Sequence, residues 1–211
     1  MIEKLFSSYR SALILNGKKP SYQLLKKIRD NIPIVATDGA AQWCSADYIV
    51  GDMDSFSPTH KENGKVIHIS DQYTTDFEKA MIFAKEKNLL PCLVMGLSGG
   101  EVDHFLGNIQ ALLKHTENHS FFFLDEYEKG LKIGIPLSIG KYPIKMKIGA
   151  IVSIFPHCNC TLTTKGLLWE LKDQLITPDG QLAIRNQSKM ERVEFNIIEG
   201  KALIVIDIGS L

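Results

Sequence analysis

The chain has 211 residues, with 24 Lys plus Arg balanced by 24 Asp plus Glu, so its formal net charge is zero. Hydrophobic residues make up 45% and charged residues 23%, a globular profile that excludes disordered, collagenous and coiled-coil classes. Zero net charge argues against nucleic-acid binding by bulk electrostatics, and no apolar run approaches the ~20 residues needed to cross a bilayer.

The first 124 residues alternate β-rich runs with helical stretches. Strands are predicted at Ala12 to Leu15, Ile32 to Ala36, Asp47 to Val50, Lys65 to Ile69, Cys92 to Met95 and Phe121 to Leu124. These runs are nearly continuously apolar, as expected of strands buried on both faces. Helices are predicted at Ser21 to Asp30, Thr75 to Lys87 and Val102 to His115, where apolar residues recur at helical spacing. The alternation implies a doubly wound, mostly parallel sheet.

After Leu124 the helical patterns stop. Strands are expected at Lys145 to Phe155, Gly166 to Leu171, Gln181 to Arg185, Glu191 to Ile198 and Ala202 to Ile208, with Glu199-Gly200 as a hairpin turn. The expected fold is thus an α/β domain over residues 1–124 followed by a smaller all-β sandwich domain over 125–211. The four cysteines are too few for a disulfide framework. His157-Cys158-Asn159-Cys160 lacks the second pair that zinc sites use and reads as thiols at a strand end. The opening Met1 to Phe6 lacks signal-peptide order, so a reducing, cytoplasmic location is expected.

In open α/β sheets ligands bind beyond the carboxyl ends of the strands. Five successive strand ends here are followed by Asn16-Gly17, Asp38-Gly39, Gly51-Asp52-Met53-Asp54-Ser55, Ser70-Asp71 through Thr75-Asp76, and Ser98-Gly99-Gly100 through Asp103-His104. In extended chain Asp52 and Asp54 would point the same way, about 6.6 Å apart, and two such carboxylates repel unless a cation lies between them. Hard oxygen ligands suit Mg²⁺; an Asp-rich turn closed by Ser55 and Pro58 is the plainer alternative. Thr75 and Glu78 have capping-box spacing, which puts Asp76 in the first helical turn. Ser98-Gly99-Gly100 before a helix resembles an anion cradle, although no Walker A sequence is present. Trp169 reads either as core or as a stacking surface for a flat or cationic ligand.

Taken in order, Leu13 to Gly17, Thr37 to Ala40, Gly51-Asp52-Met53-Asp54-Ser55, Asp71 through Phe77, Gly99-Gly100 through Asp103-His104, and Gly166 to Trp169 resemble the motifs of thiamine pyrophosphokinases. The resemblance covers nearly the whole chain. It implies diphosphate transfer from ATP to the hydroxyl of thiamine, with Mg²⁺, by a homodimer whose active site lies between subunits. It further implies that Asp52, Asp54 and Asp76 hold Mg²⁺ and, with Asp103, do the chemistry. Asn16, Gly17, Asp38, Gly39, Asp71, Thr75, Ser98, Gly99 and Gly100 would take the nucleotide, and His104, Trp169 and Asn186 the thiamine. The chain departs from the family pattern at Glu101, where Arg is usual, at Ala40 and Gln42, and at Arg185. An Arg near triphosphate is a charge-assisted donor, and Lys18 and Arg185 are the candidates to replace it. Transfer to another alcohol such as a pterin, a binding module without transfer activity, and a Mg²⁺ phosphohydrolase are the rival readings.

Overall fold

The computed structural model describes Phe6, 8–54, 64–115 and 120–209; Ser55 and Pro58 lie outside the described residues. The chain divides into two units, the first made of Met1–His115 with Ser120–Asp125, the second essentially Glu126–Leu211.

The first unit is α/β. Its strands are β1 (Ser11–Ile14), β2 (Ile34–Thr37), β3 (Tyr48–Gly51), β4 (Lys65–His68), β5 (Cys92–Met95) and β6 (Phe121–Tyr127), with β6 running on into the second unit. They pair in the order β6-β5-β1-β2-β3-β4, and every pairing is parallel. The chain winds outward from β1 to β4, then returns to lay β5 on the other side of β1. The junction of β1 and β5 is therefore the topological switch point.

β1, β2 and β5 are buried along their whole length, which accounts for their continuous apolar runs. β4 corrects the expectation for Lys65 to Ile69. Among the described residues it pairs only with β3, which makes it an edge strand, and it is largely exposed. Helices α1 (Tyr22–Arg29), α2 (Asp76–Glu86) and α3 (Val102–His115) form where predicted; α3 buries Ala111, Leu112 and Leu113, whereas Leu106 of its expected apolar face is exposed. Ser21 caps α1 by accepting the Leu24 N–H at 3.3 Å, and Lys26, Lys27 and Arg29 complement its C-terminal dipole.

The second unit contains two antiparallel sheets. One runs β7 (Gly130–Leu137), β14 (Ala202–Gly209), β9 (Ile151–Pro156), β12 (Ala183–Gln187); the other runs β8 (Gly140–Lys145), β13 (Arg192–Glu199), β10 (Cys160–Lys165), β11 (Gln174–Ile176). Both sheets supply buried apolar side chains, among them Val152, Ile154, Ile204, Leu162, Val193 and Phe195.

Several expectations change here. Lys145 to Phe155 is not one strand: Gly149 at φ +84° turns the chain out of β8 and into β9 of the other sheet. Gly166 to Leu171 is not a strand either, being tied by a single bridge between Leu167 and Ser188. The expected strand at Gln181 to Arg185 begins later, as β12, and β7, β8, β10 and β11 were not anticipated. Glu199 ends β13 and Gly200, at φ +79°, bends the chain, but the two strands it joins do not pair as a hairpin. β13 pairs with β8 and β10, whereas β14 pairs with β7 and β9. All four cysteines are free, and Cys158 alone is exposed. Among the described residues no helix is long and apolar enough to cross a membrane.

Candidate active site

The strand ends of the first unit enclose a cavity of about 410 Å³. Asn16 and Gly17 follow β1, Asp38 and Gly39 follow β2, and Asp52 follows β3. Thr75, Asp76 and Lys79 come from the start of α2, while Gly99, Gly100, Asp103 and His104 come from the loop after β5 and the first turn of α3. The site sits at the switch point because that is where neighbouring loops diverge.

Close backbone approach makes the crevice. The Gly17 N–H donates to the Gly96 carbonyl at 3.1 Å, and the Lys18 N–H to the Ser98 carbonyl at 2.6 Å. A Cβ on Gly17 would lie 2.2 Å from the Gly96 oxygen and 2.4 Å from the Ser98 oxygen. Both are immovable backbone, so Gly17→Ala should destabilise the fold by about 1–3 kcal/mol, the usual cost of overpacking. Gly100 has φ +70°, but a Cβ there would meet nothing within 4 Å, so Gly100→Ala should cost only the left-handed strain of about 1 kcal/mol. Urea unfolding of the two variants checks the order.

An acidic cluster forms one wall. Oxygens of Asp38, Asp52 and Asp76 all lie within 4.8 Å of one another. This differs from the set drawn from spacing. Met53 has φ +68°, so the chain between Asp52 and Asp54 is not extended, and Asp54 is exposed outside the cluster. The Asp54 N–H instead donates to Asp52 Oδ1 at 3.3 Å. Asp38 takes the third place through sheet adjacency, since Thr37 is in register with Val50. It is buried, and its Oδ1 accepts the Gly39 N–H at 2.6 Å.

Lys79 is the site residue that sequence reading missed. Its Nζ donates to Asp52 Oδ2 at 2.9 Å and to Asp76 Oδ1 at 3.0 Å. The Lys79 hydrogen bond, reinforced by the Asp54 N–H, holds the Asp52 carboxyl below its usual range. Burial would lower the Lys79 pKa, but the two carboxylates overcome it and raise it. The available signal was Asp76-x-x-Lys79, an i,i+3 pair on one helix face.

Thr75 and Glu78 close the capping box that orients Asp76. Thr75 Oγ1 accepts the Glu78 N–H at 3.2 Å, and Glu78 Oε2 accepts the Thr75 N–H at 3.2 Å. Glu78 is buried and also meets Lys114 at 2.9 Å and His115 at 3.1 Å. Burial alone would raise its pKa; hydrogen bonds from Lys114, His115 and the Thr75 backbone bring it down to about 2. Its folded pKa thus lies below the usual value of 4.5, so its stabilisation is complete above pH 4.5 and disappears as pH falls toward 2. Wild type should lose melting temperature across that window more steeply than Glu78→Gln, which keeps the cap but does not titrate. Equal slopes in a melting series would contradict this.

Three predicted site residues of the first unit stand apart from the cavity wall, Asp54, Asp71 and Ser98, and two more, Trp169 and Asn186, belong to the second unit. Asp71 accepts from Thr74 Oγ1 and from the Tyr73 N–H, bonds that lower its pKa and shape the loop before α2. Ser98 donates its hydroxyl to Asp125 Oδ1 at 2.8 Å. In the second unit Trp169 is 61% exposed and lies in a bend, which removes the core reading. Asn186 is buried and clamps the Trp169 backbone: its Oδ1 accepts the Trp169 N–H at 3.1 Å and its Nδ2 donates to the Trp169 carbonyl at 2.6 Å. Arg185, beside it, is exposed at φ +56°.

An acidic, glycine-lined cavity at the switch point of a parallel sheet is the ground plan of a nucleotide- or phosphate-handling protein. Comparison with known proteins narrows that class. The family model "Thiamin pyrophosphokinase, catalytic domain" matches residues 25–123. A thiamine pyrophosphokinase of Bacillus subtilis is 27% identical over 164 residues, 74% of this chain and 75% of the relative. Thiamine pyrophosphokinase 1 of Oryza sativa is 29% identical over 167 residues, 70% of this chain but 61% of that longer relative. Among solved structures, thiamin pyrophosphokinase from Candida albicans superposes with a TM-score of 0.77 at 18% identity, covering 97% of this chain and 90% of the other. That of Bacillus subtilis gives 0.75 at 21% identity, covering 95% and 99%. At such identities the structures speak to the fold. The chain is thus similar to thiamin pyrophosphokinases, in sequence over residues 25–123 and in fold over nearly its whole length.

Proposed function

We propose that the protein is a thiamine diphosphokinase: it transfers the diphosphate of ATP to the thiamine hydroxyl, giving thiamine diphosphate and AMP. The observation that carries this reading is the Asp38, Asp52 and Asp76 cluster beside the Gly99-Gly100 loop in a chain whose residues 25–123 match the thiamin pyrophosphokinase catalytic domain. The thiamine oxygen attacks the β-phosphorus, the bond from that phosphorus to the bridging oxygen of AMP breaks, and the hydroxyl proton passes to a carboxylate. Asp103, on the cavity wall, is the proposed acceptor. The protein's task is alignment and charge neutralisation rather than covalent chemistry.

Three carboxylate oxygens this close form a hard donor set that fits Mg²⁺. Asp38, Asp52 and Asp76 would hold it, and it would supply positive charge to the phosphate oxygens. Asn16, Gly17, Gly39, Thr75, Gly99 and Gly100, which share the cavity, are proposed to take the nucleotide, and His104 to face thiamine. Glu101 also lines the cavity, where the family pattern has Arg. The first unit is thus proposed as the nucleotide-binding catalytic domain and the second as the thiamine domain. We propose a homodimer, with Trp169 completing the partner's site. Exposed Leu168, Trp169 and Met190 support a surface that a second copy covers. A reducing, cytoplasmic setting accords with four free cysteines.

The test is incubation with ATP, Mg²⁺ and thiamine, followed by mass spectrometry. AMP with a diphosphorylated thiamine is expected, and EDTA should stop its formation. Free phosphate would indicate a hydrolase, no turnover a binding module, and AMP formed only with another alcohol a different acceptor.

A further inference from the structure

The carboxylates proposed to hold a metal ion already share a cation. Lys79 enters the cluster from α2, one turn after Asp76, and its ammonium bridges Asp52 and Asp76 at 2.9 and 3.0 Å. Its side chain is only 2% exposed. A charge withdrawn from water this completely is costly unless it is paired. The carboxylates gain as much from the arrangement, because three of them within one ligand sphere repel. Their formal charge is −3; Lys79 reduces it to −2, the charge that one divalent ion neutralises.

We infer that Lys79 is an internal counter-ion. It holds Asp52 and Asp76 together while the divalent ion is away, and it limits that ion's affinity by competing for the same two carboxylates. This rests on the metal-dependent reading above. Lys79 is a positioning residue, acting through Asp52 and Asp76. The two parts of the role have opposite signs. Removing the ammonium should weaken the metal-free fold and tighten metal binding. A lysine serving only to pack the helix would lower stability and leave metal affinity unchanged. One that merely fixed the carboxylates in a metal-ready geometry would weaken metal binding when lost.

The experiment titrates Mg²⁺ alone into the full chain, wild type and Lys79→Met, by calorimetry, with melting curves in EDTA and in saturating Mg²⁺. Lys79→Met should bind Mg²⁺ at least about tenfold more tightly, since one full charge at contact distance is removed. It should melt lower than wild type in EDTA and gain more than wild type from Mg²⁺. Unchanged or weaker Mg²⁺ binding, or unchanged melting in EDTA, overturns the inference. Should Lys79→Met fail to fold, Lys79→Met/Asp76→Asn, which restores a formal charge of −2, is expected to fold; its failure overturns the charge argument in favour of packing. If neither protein takes up Mg²⁺, the metal-dependent reading itself falls. That result differs from failure of the inference alone, in which wild type takes up Mg²⁺ and the variant does so no more tightly.

Discussion

Asp52→Asn should lower the turnover of ATP and thiamine by on the order of 10²–10³-fold, the loss typical of removing one preorganised charged partner at a reacting centre. The change keeps volume and removes charge. Asp52 belongs to the cluster by both routes, from its position after β3 and from its distance to Asp38 and Asp76. It is partly exposed at a strand end, and Lys79 keeps Asp76 as a partner when Asp52 is neutralised, so the fold should survive. Circular dichroism should match wild type, and AMP formation should be nearly absent at any Mg²⁺ concentration. Asp38→Asn should behave alike, although Asp38 is buried and its loss should also cost stability. A folded Asp52→Asn protein keeping more than a tenth of wild-type turnover would remove the cluster from the chemistry.

Asp38 and Asp54 show how far the site was legible in the residues. Spacing paired Asp52 with Asp54 by assuming extended chain. Met53 at φ +68° breaks that assumption, and neither glycine nor asparagine marks the position as left-handed. Asp38 reaches the cluster instead because β2 and β3 are neighbours in register, an adjacency that spans fourteen residues of chain. A Cβ on Gly51 would lie 2.9 Å from Asp38 Cγ, so the glycine that ends β3 leaves room for that carboxylate. The capping box was legible because it is local: four consecutive residues contain its whole chemistry. The same contrast governs the fold. Burial on both faces writes itself into β1, β2 and β5 as continuous apolar residues. Alternation in β13 reveals that one face is buried, but not which strand lies beside it, and so the hairpin with β14 was a false inference from proximity.

Trp169→Ala should weaken thiamine binding by roughly 10- to 100-fold, about 1.4–2.8 kcal/mol, while leaving ATP binding nearly unchanged. Thiamine carries a permanent charge on its thiazolium ring and a flat aminopyrimidine, and a desolvated cation–π contact is worth about 2 kcal/mol. The indole is 61% exposed, so its removal leaves no core cavity. Its backbone is pinned on both sides by Asn186, which limits how far the ring can wander before a ligand arrives. Asn186→Ala should therefore reproduce part of the Trp169→Ala defect in KM for thiamine without touching the ring. The proposed two-chain site makes a sharper demand. Trp169 lies in the second unit, whereas every residue of the acidic cavity lies in the first. Trp169→Ala and Asp52→Asn, each crippled alone, should regain activity when mixed and allowed to exchange subunits. In an equal mixture half the dimers are mixed, and one of two sites in each draws both intact halves, so about a quarter of wild-type turnover is expected. A mixture that stays inactive after exchange has been shown by mass spectrometry would place the whole site within one chain.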